Sequence, residues 1–313
     1  MVAWIRYRTE IEKVGMVAGD SPAIARRRVR HAIREAREAL GFTQGQVAEA
    51  MEWSLSKVMR IESGEVSITA NDLRPLLSYL GITDRARVDD LVADARVSRR
   101  RQMWWDAQNL RDHITPAMRQ LIQYESDATA VRHFYMTIIP GRLQTPEYAE
   151  AVLRSYGDEL AEADRKVRLE VRLRRHDDLL ARKTPPEIFL LLDESVLYRQ
   201  VGGPQVTGDQ LTYLVKLAGE NRVRIRILPF AAENAPPPMF GSYEIVNLSA
   251  DDAIMYRESS IIDEIVEDRA KIDRHRVIFD NLWEAAYDEA DSVRLVQQRA
   301  ETALSSFRPT DPG

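Results

Sequence analysis

The apolar residues between positions 22 and 101 recur at helical spacing in a series of short segments. Val29, Ile33, Ala36 and Leu40 follow one another at intervals of four, three and four residues, and Gly41 comes directly after them. Such intervals place apolar side chains on one face of a helix, and glycine commonly ends a helix. The pattern therefore predicts a helix that ends at Gly41, four more short helices after it, and no β-sheet in this segment.

Polar residues that can cap helices mark the starts of the four later helices. Thr43 and Gln46 are three residues apart, as in a capping box, where each side chain accepts a hydrogen bond from the other residue's backbone N–H. Ser54 can cap the third helix, and Thr69 and Thr83 can cap the fourth and fifth. The segment is therefore predicted to be an all-α domain of about five helices.

From about residue 187 the apolar pattern becomes typical of β-strands. Ile188 to Leu192 form a continuous apolar run, as expected for a strand buried on both faces. From Val223 to Ile227 apolar residues alternate with arginines, and a helical pattern lies between the two strands. This order predicts a right-handed crossover between parallel strands. Further strands are predicted at 242–248 and 253–257, and closing helices near 267–288 and 291–306.

Length and composition extend this interpretation to the whole chain. The 313 residues allow two or three domains, and 44% hydrophobic residues suffice for a sizeable core. We predict a multidomain protein, in which an all-α N-terminal domain precedes a larger α+β or α/β domain with a small mixed sheet. The predicted divisions are a leader or extended start at 1–20, the helical domain at 21–101, a mainly helical connector and start of the second domain at 102–186, and the mixed sheet and C-terminal helices at 187–313.

Several classes of protein are excluded by what the sequence lacks. The chain contains no cysteine, which excludes disulfides, thiolate zinc sites and cysteine nucleophiles. No two of the five histidines have the spacing of a helical metal site, and no hydrolase, kinase or deaminase signature occurs. We therefore expect no metal, no cofactor and no enzymatic activity. No apolar run is long enough for a membrane span and no secretory signal is present, so we expect a cytoplasmic protein without a membrane partner.

The net charge of -5 conceals an asymmetry along the chain. Residues 21–101 carry 15 Lys and Arg against 11 Asp and Glu, whereas residues 102–313 carry 26 against 35. A basic segment joined to an acidic one suggests that the first segment meets a polyanion. Ordinary scatter in composition would also explain the difference, so the local pattern must decide.

Residues 43–64, TQGQVAEAMEWSLSKVMRIESG, have the spacing of a helix-turn-helix. In this motif the second helix enters the major groove of double-stranded DNA while the first lies across the backbone. Gln44, at the start of the first helix, is placed to contact a phosphate through its side chain and backbone N–H. Val58 and Ile61 occupy the inner face of the second helix. The residues expected to face DNA are therefore Ser54, Leu55, Ser56, Lys57 and Arg60.

Each of these residues also has a purely structural interpretation. Gln44 and Ser54 can serve only as helix caps, and Lys57 and Arg60 can be solvated surface cations. Arg60 is the best candidate base reader, because a guanidinium matches guanine O6 and N7 in a bidentate way worth about 1–3 kcal/mol of discrimination. The apolar Leu55 fits a thymine methyl group.

Two runs of arginine flank the motif. Either run is placed to contact the DNA backbone, where it would add salt-sensitive affinity that does not depend on sequence. Either can equally be a solvated face or a set of cations at a helix C-terminus. The first run comprises Arg26, Arg27, Arg28 and Arg30, and the second, at the end of the fifth helix, comprises Arg99, Arg100 and Arg101.

The motif T-Q-x-x-V-A followed by S-x-S-K-V-x-R-I-E-x-G resembles the helix-turn-helix domain of the XRE family, which includes the phage repressors and Cro proteins. The resemblance implies a phosphate contact for Gln44 and a structural role for Glu62. It also implies base-facing positions for Leu55, Ser56 and Arg60.

The turn of the motif departs from that family. The family often has glycine where this chain has Glu52. A residue with a Cβ atom is then expected to adopt a positive φ, at a cost of roughly 1 kcal/mol.

The rest of the chain carries a second resemblance. YESDATAVRHFYMTIIPGRLQTPEYAEAVL at 124–153, LLDESVLYRQVGGP at 191–204 and VRIRILPF at 223–230 are similar to a domain that follows an XRE domain in actinobacterial, antitoxin-like regulators of the Scr1 type. Arg142 stands where a typical member has leucine, which argues against an apolar pocket there. The resemblance implies a cytoplasmic, dimeric transcription regulator that is often encoded beside a small partner protein.

Three functions are compatible with these observations. The first is a repressor or activator that binds double-stranded DNA, with a C-terminal domain for homodimerisation and protein binding. The second is a one-component sensor whose C-terminal domain holds a small molecule of unknown identity. The third is an antitoxin-like protein that chiefly binds a small partner protein and uses DNA binding for autoregulation. A DNA-binding element is common to all three.

Overall fold

The computed structural model describes residues 22–99, 104, 110, 113–157, 160–182, 184–232, 241–249, 252–258 and 263–306. These residues form two compact units, one within residues 1–101 and the other within residues 102–313. The predicted leader at 1–20 lies outside the described residues, as do Arg100 and Arg101. No described helix is long and apolar enough to cross a membrane.

The described part of the first unit is helical, as the apolar periodicity predicts. Thr43, Ser54 and Thr69 cap the second, third and fourth helices, and Thr43 forms a complete capping box with Gln46. The starts of these helices are therefore set by local hydrogen bonds that the sequence reveals. The helices are α1 (Pro22–Ala39), α2 (Gln44–Ala50), α3 (Leu55–Glu62), α4 (Ala70–Tyr79) and α5 (Arg85–Val97).

The start of α5 differs by one residue from the prediction. Asp84, not Thr83, caps the helix, and its carboxylate accepts the backbone N–H of Arg87 at 2.8 Å. Aspartate also places negative charge at the positive end of the helix dipole, which makes it the better cap of the two.

One hydrophobic core joins these five helices. Each helix contributes at least one buried side chain: Ile33 from α1, Val47 from α2, Val58 from α3, Leu73 from α4 and Val92 from α5. Because each fully buried aliphatic side chain contributes roughly 1.5–3 kcal/mol, this shared core fixes how α2 and α3 lie against the other helices.

The described part of the second unit combines helices with a mixed sheet, as predicted. Its strands are β1 (Ala130–Tyr135), β2 (Glu187–Asp193), β3 (Arg224–Leu228), β4 (Tyr243–Asn247), β5 (Ala253–Arg257) and β6 (Glu264–Val266). Its helices are α6 (Pro116–Glu125), α7 (Pro146–Arg154), α8 (Glu162–Ala181), α9 (Gly203–Gly219), α10 (Arg269–Ala285) and α11 (Glu289–Ser306), and short 3₁₀ turns lie at Gly141–Leu143 and Glu194–Leu197.

The six strands have the order β3-β2-β1-β4-β5-β6. β2 and β3 are parallel and are connected through α9, as the strand–helix–strand pattern predicts. β1 is parallel to β2 on one side and antiparallel to β4 on the other. The remaining neighbours, β4 with β5 and β5 with β6, are antiparallel. β1 is thus the strand at which the parallel half of the sheet meets the antiparallel half.

The sequence does not predict β1, which lies in the segment expected to be mainly helical. Arg132 and His133 interrupt its apolar residues. His133 is nevertheless fully buried, because Glu244 stands directly opposite it on β4, with a carboxylate oxygen 2.8 Å from His133 Nδ1. Because this buried polar pair interrupts the apolar run, the sequence pattern does not indicate the central strand.

Helices cover both faces of the sheet. On one face α9 and α11 pack with Leu190 and Leu192 of β2, and on the other face α10 packs with Leu191. α9 and α11 approach so closely that a Cβ atom added to Gly208 would lie 2.6 Å from Leu304 Cγ. The sheet is therefore the middle of three layers, which explains the continuous apolar run in β2.

Candidate nucleic-acid interface

The turn between α2 and α3 has a backbone geometry that favours glycine. Glu52 has a φ of 54°, the positive value that the sequence predicts. Its N–H donates to the carbonyl of Glu49, and the N–H of Trp53 donates to the carbonyl of Ala48 at 2.8 Å. These two bonds form a Schellman motif, which ends α2 and sets the direction of the chain into α3.

A buried carboxylate joins the first three helices. Glu62, at the end of α3, is 6% exposed and accepts hydrogen bonds from Arg37 of α1 at 2.7 and 2.9 Å. It also accepts a hydrogen bond at 2.9 Å from the side-chain amide of Gln44, the first residue of α2. The hydrogen bond to Glu62 raises the pKa of Arg37. We name these three residues the Glu62 clamp, and it fixes the orientation of α3 against α1 and α2.

Gln44 therefore has a structural contact at the position where a phosphate contact is predicted. Its amide carries a second N–H, and the first turn of any helix has backbone N–H groups without intrahelical partners. The residue is partly exposed. Gln44 thus belongs to the Glu62 clamp and lies at the end of α2 where an anion is favoured.

The outer face of α3 is exposed and partly apolar. Leu55 and Met59 are each 50% exposed, and Ser56 and Arg60 are exposed as well. Met59 is not among the residues predicted to face DNA. Its spacing of four residues from Leu55 places both side chains on one face of the helix and is the signal that could have identified it.

Two of the predicted site residues have partners within the unit. The hydroxyl of Ser54 accepts the backbone N–H of Lys57 at 3.2 Å and so caps α3. The ammonium group of Lys57 lies 3.2 Å from a carboxylate oxygen of Asp72 and 3.8 Å from the centroid of the Trp53 ring. Lys57 is therefore held towards α4.

Arg60 is restrained only weakly by the contact that it makes with Glu65. Its Nε lies 3.6 Å from a carboxylate oxygen of Glu65, and both side chains are more than half exposed. Exposed ion pairs of this kind contribute about 0–1 kcal/mol. A stronger partner can therefore displace Glu65 from Arg60 at little cost.

Arg27 and Arg30 are buried, which favours a structural role over the DNA-backbone contact for which they were candidates. They are 5% and 9% exposed. Arg30 donates to the carbonyl of Ser63 at 3.4 Å, and a Cβ atom added to Gly64 would lie 3.2 Å from its side chain. Arg30 thus packs on the end of α3, and its side chain is buried.

Arg26 and Arg28 connect α1 to other parts of the unit. Arg26 Nε donates to Ser67 Oγ at 3.0 Å, and Arg28 lies 3.5 Å from a carboxylate oxygen of Asp94. The side chain of Arg28 is 48% exposed, and Arg99, from the second arginine run, is also exposed. Arg28 and Arg99 therefore bring positive charge to the surface of the unit.

Two protein-family models match the chain. One, described as a helix-turn-helix domain, matches residues 28–91, and the other, described as a domain of unknown function (DUF5753), matches residues 118–298. No curated protein and no solved structure matches the chain. The first match contains α2, α3 and the Glu62 clamp, and it identifies the first unit as a helix-turn-helix DNA-binding domain. Because the second match covers more than half of its length, the chain belongs to the DUF5753 family.

Proposed function

We propose that this protein is a sequence-specific transcriptional regulator that inserts α3 into the major groove of double-stranded DNA. The observation that carries the proposal is the outer face of α3, where Leu55 and Met59 are half exposed beside the exposed Arg60. The opposite face of the same helix is buried in the core, and the Glu62 clamp holds its end. A rigid helix with one free, partly apolar face suits the shape of the groove.

The residues of α3 divide into two roles. Arg60 leaves Glu65 and donates hydrogen bonds to the O6 and N7 atoms of guanine. Leu55 and Met59 contact thymine methyl groups, and Ser56 forms a hydrogen bond with a base edge. Lys57, held by Asp72, and Ser54, which caps the helix, position α3 and do not read bases.

The start of α2 binds a phosphate through its backbone N–H groups and the second amide N–H of Gln44. Arg28 and Arg99 add attraction to the backbone that does not depend on sequence. Gln44 therefore contributes both to DNA binding and to the stability of the domain, because the same side chain that faces the phosphate also donates a hydrogen bond to Glu62.

The second unit acts as the dimerisation and regulatory part. A single helix contacts too few base pairs to select one site in a genome, and a dimer would read two half-sites roughly 34–36 Å apart. The motifs shared with XRE proteins and with Scr1-type regulators support a cytoplasmic protein of that kind, without enzymatic activity and with a small protein as a further partner.

DNA binding by fluorescence anisotropy tests this function. The full chain is titrated into duplexes from the region upstream of its own gene, across a salt series, with random duplex as competitor. We expect binding that resists the competitor and weakens steeply with salt. Binding no tighter than to random duplex for every fragment would contradict the proposal.

Two substitutions separate base reading from phosphate binding. Arg60→Ala should weaken binding to the specific duplex by about five- to 150-fold, as one bidentate base contact implies, and leave random duplex nearly unaffected. Arg99→Ala, which leaves the Glu62 clamp intact, should weaken both duplexes by similar factors. Arg74→Ala is the matched control, because Arg74 forms an equally exposed ion pair, with Asp89, outside α3. Equal losses on both duplexes for Arg60→Ala would refute its role as a base reader.

A further inference from the structure

A small polar cavity lies within the second unit, between the sheet and α8. Residues of α6, α8, β1, β4, β5 and the 3₁₀ turn at Gly141–Leu143 line it. It measures about 290 Å³ including its opening. Pockets for small molecules usually measure roughly 300–1,000 Å³. This cavity therefore suits one compact chemical group.

Glu244, in the wall of the cavity, and Glu125, which contacts two arginines of that wall, already have histidine or cationic partners. Arg175, in the wall, donates hydrogen bonds to Glu125 at 2.9 and 2.6 Å. Glu244, also in the wall, lies 2.8 Å from His133 Nδ1. Glu125 and Glu244 are thus engaged with residues of the protein itself, and Glu258 is a further carboxylate in the wall.

Two buried side chains in the same wall have hydrogen-bond donors without a hydrogen-bond partner among the described residues. Arg142 is 3% exposed, and among the described residues its Nη1 has no hydrogen-bond partner. Its Nε lies 3.4 Å from Glu125, whose two oxygens already accept from Arg175. Tyr256 is 1% exposed, and within the described part of the chain its hydroxyl has no partner either. Since buried polar groups are nearly always hydrogen-bonded, both donors point to a ligand.

We propose that this cavity binds the carboxylate of a small organic acid, held by the guanidinium of Arg142 and the hydroxyl of Tyr256. A guanidinium has no acceptor, so its ligand must accept hydrogen bonds. Its planar fork of donors matches a carboxylate.

The rest of the wall favours an anion. Arg172 adds positive charge and donates to the side chain of Gln144 at 3.0 Å. Burial raises the pKa of Glu258, which favours its neutral form and lessens its repulsion of a carboxylate. Met118 and Gly141, which are partly exposed, also line the cavity.

This ligand site lies entirely in the second unit and does not rest on DNA binding by the first. Its occupancy can be measured on the full chain in the absence of DNA. The test is thermal unfolding by calorimetry with increasing sodium acetate, propionate or benzoate, at constant ionic strength. Ethylammonium chloride and methyl acetate are the cationic and neutral controls. We expect the carboxylates alone to raise the unfolding temperature of the second unit in a saturable way.

Three variants assign the effect to the cavity. Arg142→Leu should weaken carboxylate binding by about tenfold or more, the usual effect of removing a charged hydrogen bond. Tyr256→Phe should weaken it less while leaving the unliganded protein at least as stable, because the lost hydroxyl has no partner within the described residues. Arg154→Leu is the matched control, since Arg154 is 71% exposed and its ion pair with Glu150 lies on α7.

The outcomes decide between three contents of the cavity. Saturable stabilisation by a carboxylate that Arg154→Leu retains and both cavity variants lose or weaken supports the proposal. Stabilisation by ethylammonium alone would overturn it in favour of a cation beside Glu244 and Glu258. No saturable effect of any carboxylate, or an effect that both cavity variants retain in full, would also overturn it and leave a cavity that holds only water.

Discussion

Replacing Glu52 with glycine should make the helix-turn-helix domain more stable. Glu52 has a φ of 54° in the turn between α2 and α3. The same Schellman hydrogen bonds occur at the end of α4, where the corresponding residue is Gly81 with a φ of 75°. The turn also occurs at Gly41, which has a φ of 68°, so the described part of the domain contains it three times, twice with glycine and once with Glu52.

The size of the effect follows from two opposing terms. A residue with a Cβ atom in the left-handed region costs roughly 1–2 kcal/mol. Glycine loses more conformational freedom on folding, at a cost of roughly 0.5–1 kcal/mol. Glu52→Gly should therefore stabilise the domain by about 0.5–1 kcal/mol. Gly81→Ala should destabilise it by a similar amount, because nothing lies within 4 Å of the added Cβ atom and the backbone alone is strained.

Hydrogen exchange of the full chain, followed by mass spectrometry on peptides that span residues 43–64, measures this effect in the first unit alone. Exchange should be about two- to fivefold slower in Glu52→Gly, as the free-energy difference requires, and correspondingly faster in Gly81→Ala. Glu52→Ala removes the charge and retains the Cβ atom, so it should leave exchange nearly unchanged. If Glu52→Ala slowed exchange as much as Glu52→Gly, the cause would be the charge and the backbone argument would be refuted.

Two further predictions concern buried carboxylates. Glu62→Ala and Arg37→Ala should each destabilise the first unit by about 3–5 kcal/mol, as for a broken buried ion pair. In urea unfolding, the double variant should lose much less stability than the sum of the two single losses. Additive losses would mean that the two residues do not interact. In the second unit, burial acts to raise the pKa of Glu125 but the charges of Arg142 and Arg175 outweigh it and lower that pKa below its ordinary 4.5. The stabilising contribution of Glu125 is therefore complete above pH 4.5 and lost as the pH falls through the lowered pKa, so Glu125→Gln should be less stable than wild type at neutral pH and lose less stability on acidification. Unfolding temperatures across an acid series measure this, and an unchanged pH dependence in Glu125→Gln would contradict it.

Features of the fold that depend on neighbouring residues could be predicted from the sequence. The caps at Thr43, Ser54 and Thr69 and the positive φ at Glu52 each depend on a few consecutive residues. The buried strand β2 was evident because both of its faces are apolar. In these cases the local pattern and the final structure obey the same constraint.

Features that depend on distant residues could not be predicted. Arg27 and Arg30 look like surface cations in the sequence, and only the folded core shows that they are buried. Likewise, Gln44 and Glu62 are 18 residues apart, and their hydrogen bond exists only because α2 and α3 are brought together. The exposure of Leu55, Ser56 and Arg60 on α3 agrees with the motif, and the spacing of Met59 from Leu55 is the sequence signal that could have added Met59 to this face.

The position of β1 in the sheet sets the order in which the protein can fold during synthesis. Its antiparallel partner β4 ends at Asn247, which is 112 residues beyond the end of β1 at Tyr135. At about 5–20 residues per second, a ribosome needs roughly 6–22 s to supply that partner. During this interval one edge of β1 exposes unpaired backbone groups, the kind of surface that chaperones protect from aggregation. The five described helices of the first unit have been synthesised before β1, so the nascent chain already carries the helix-turn-helix while its second unit still lacks strands.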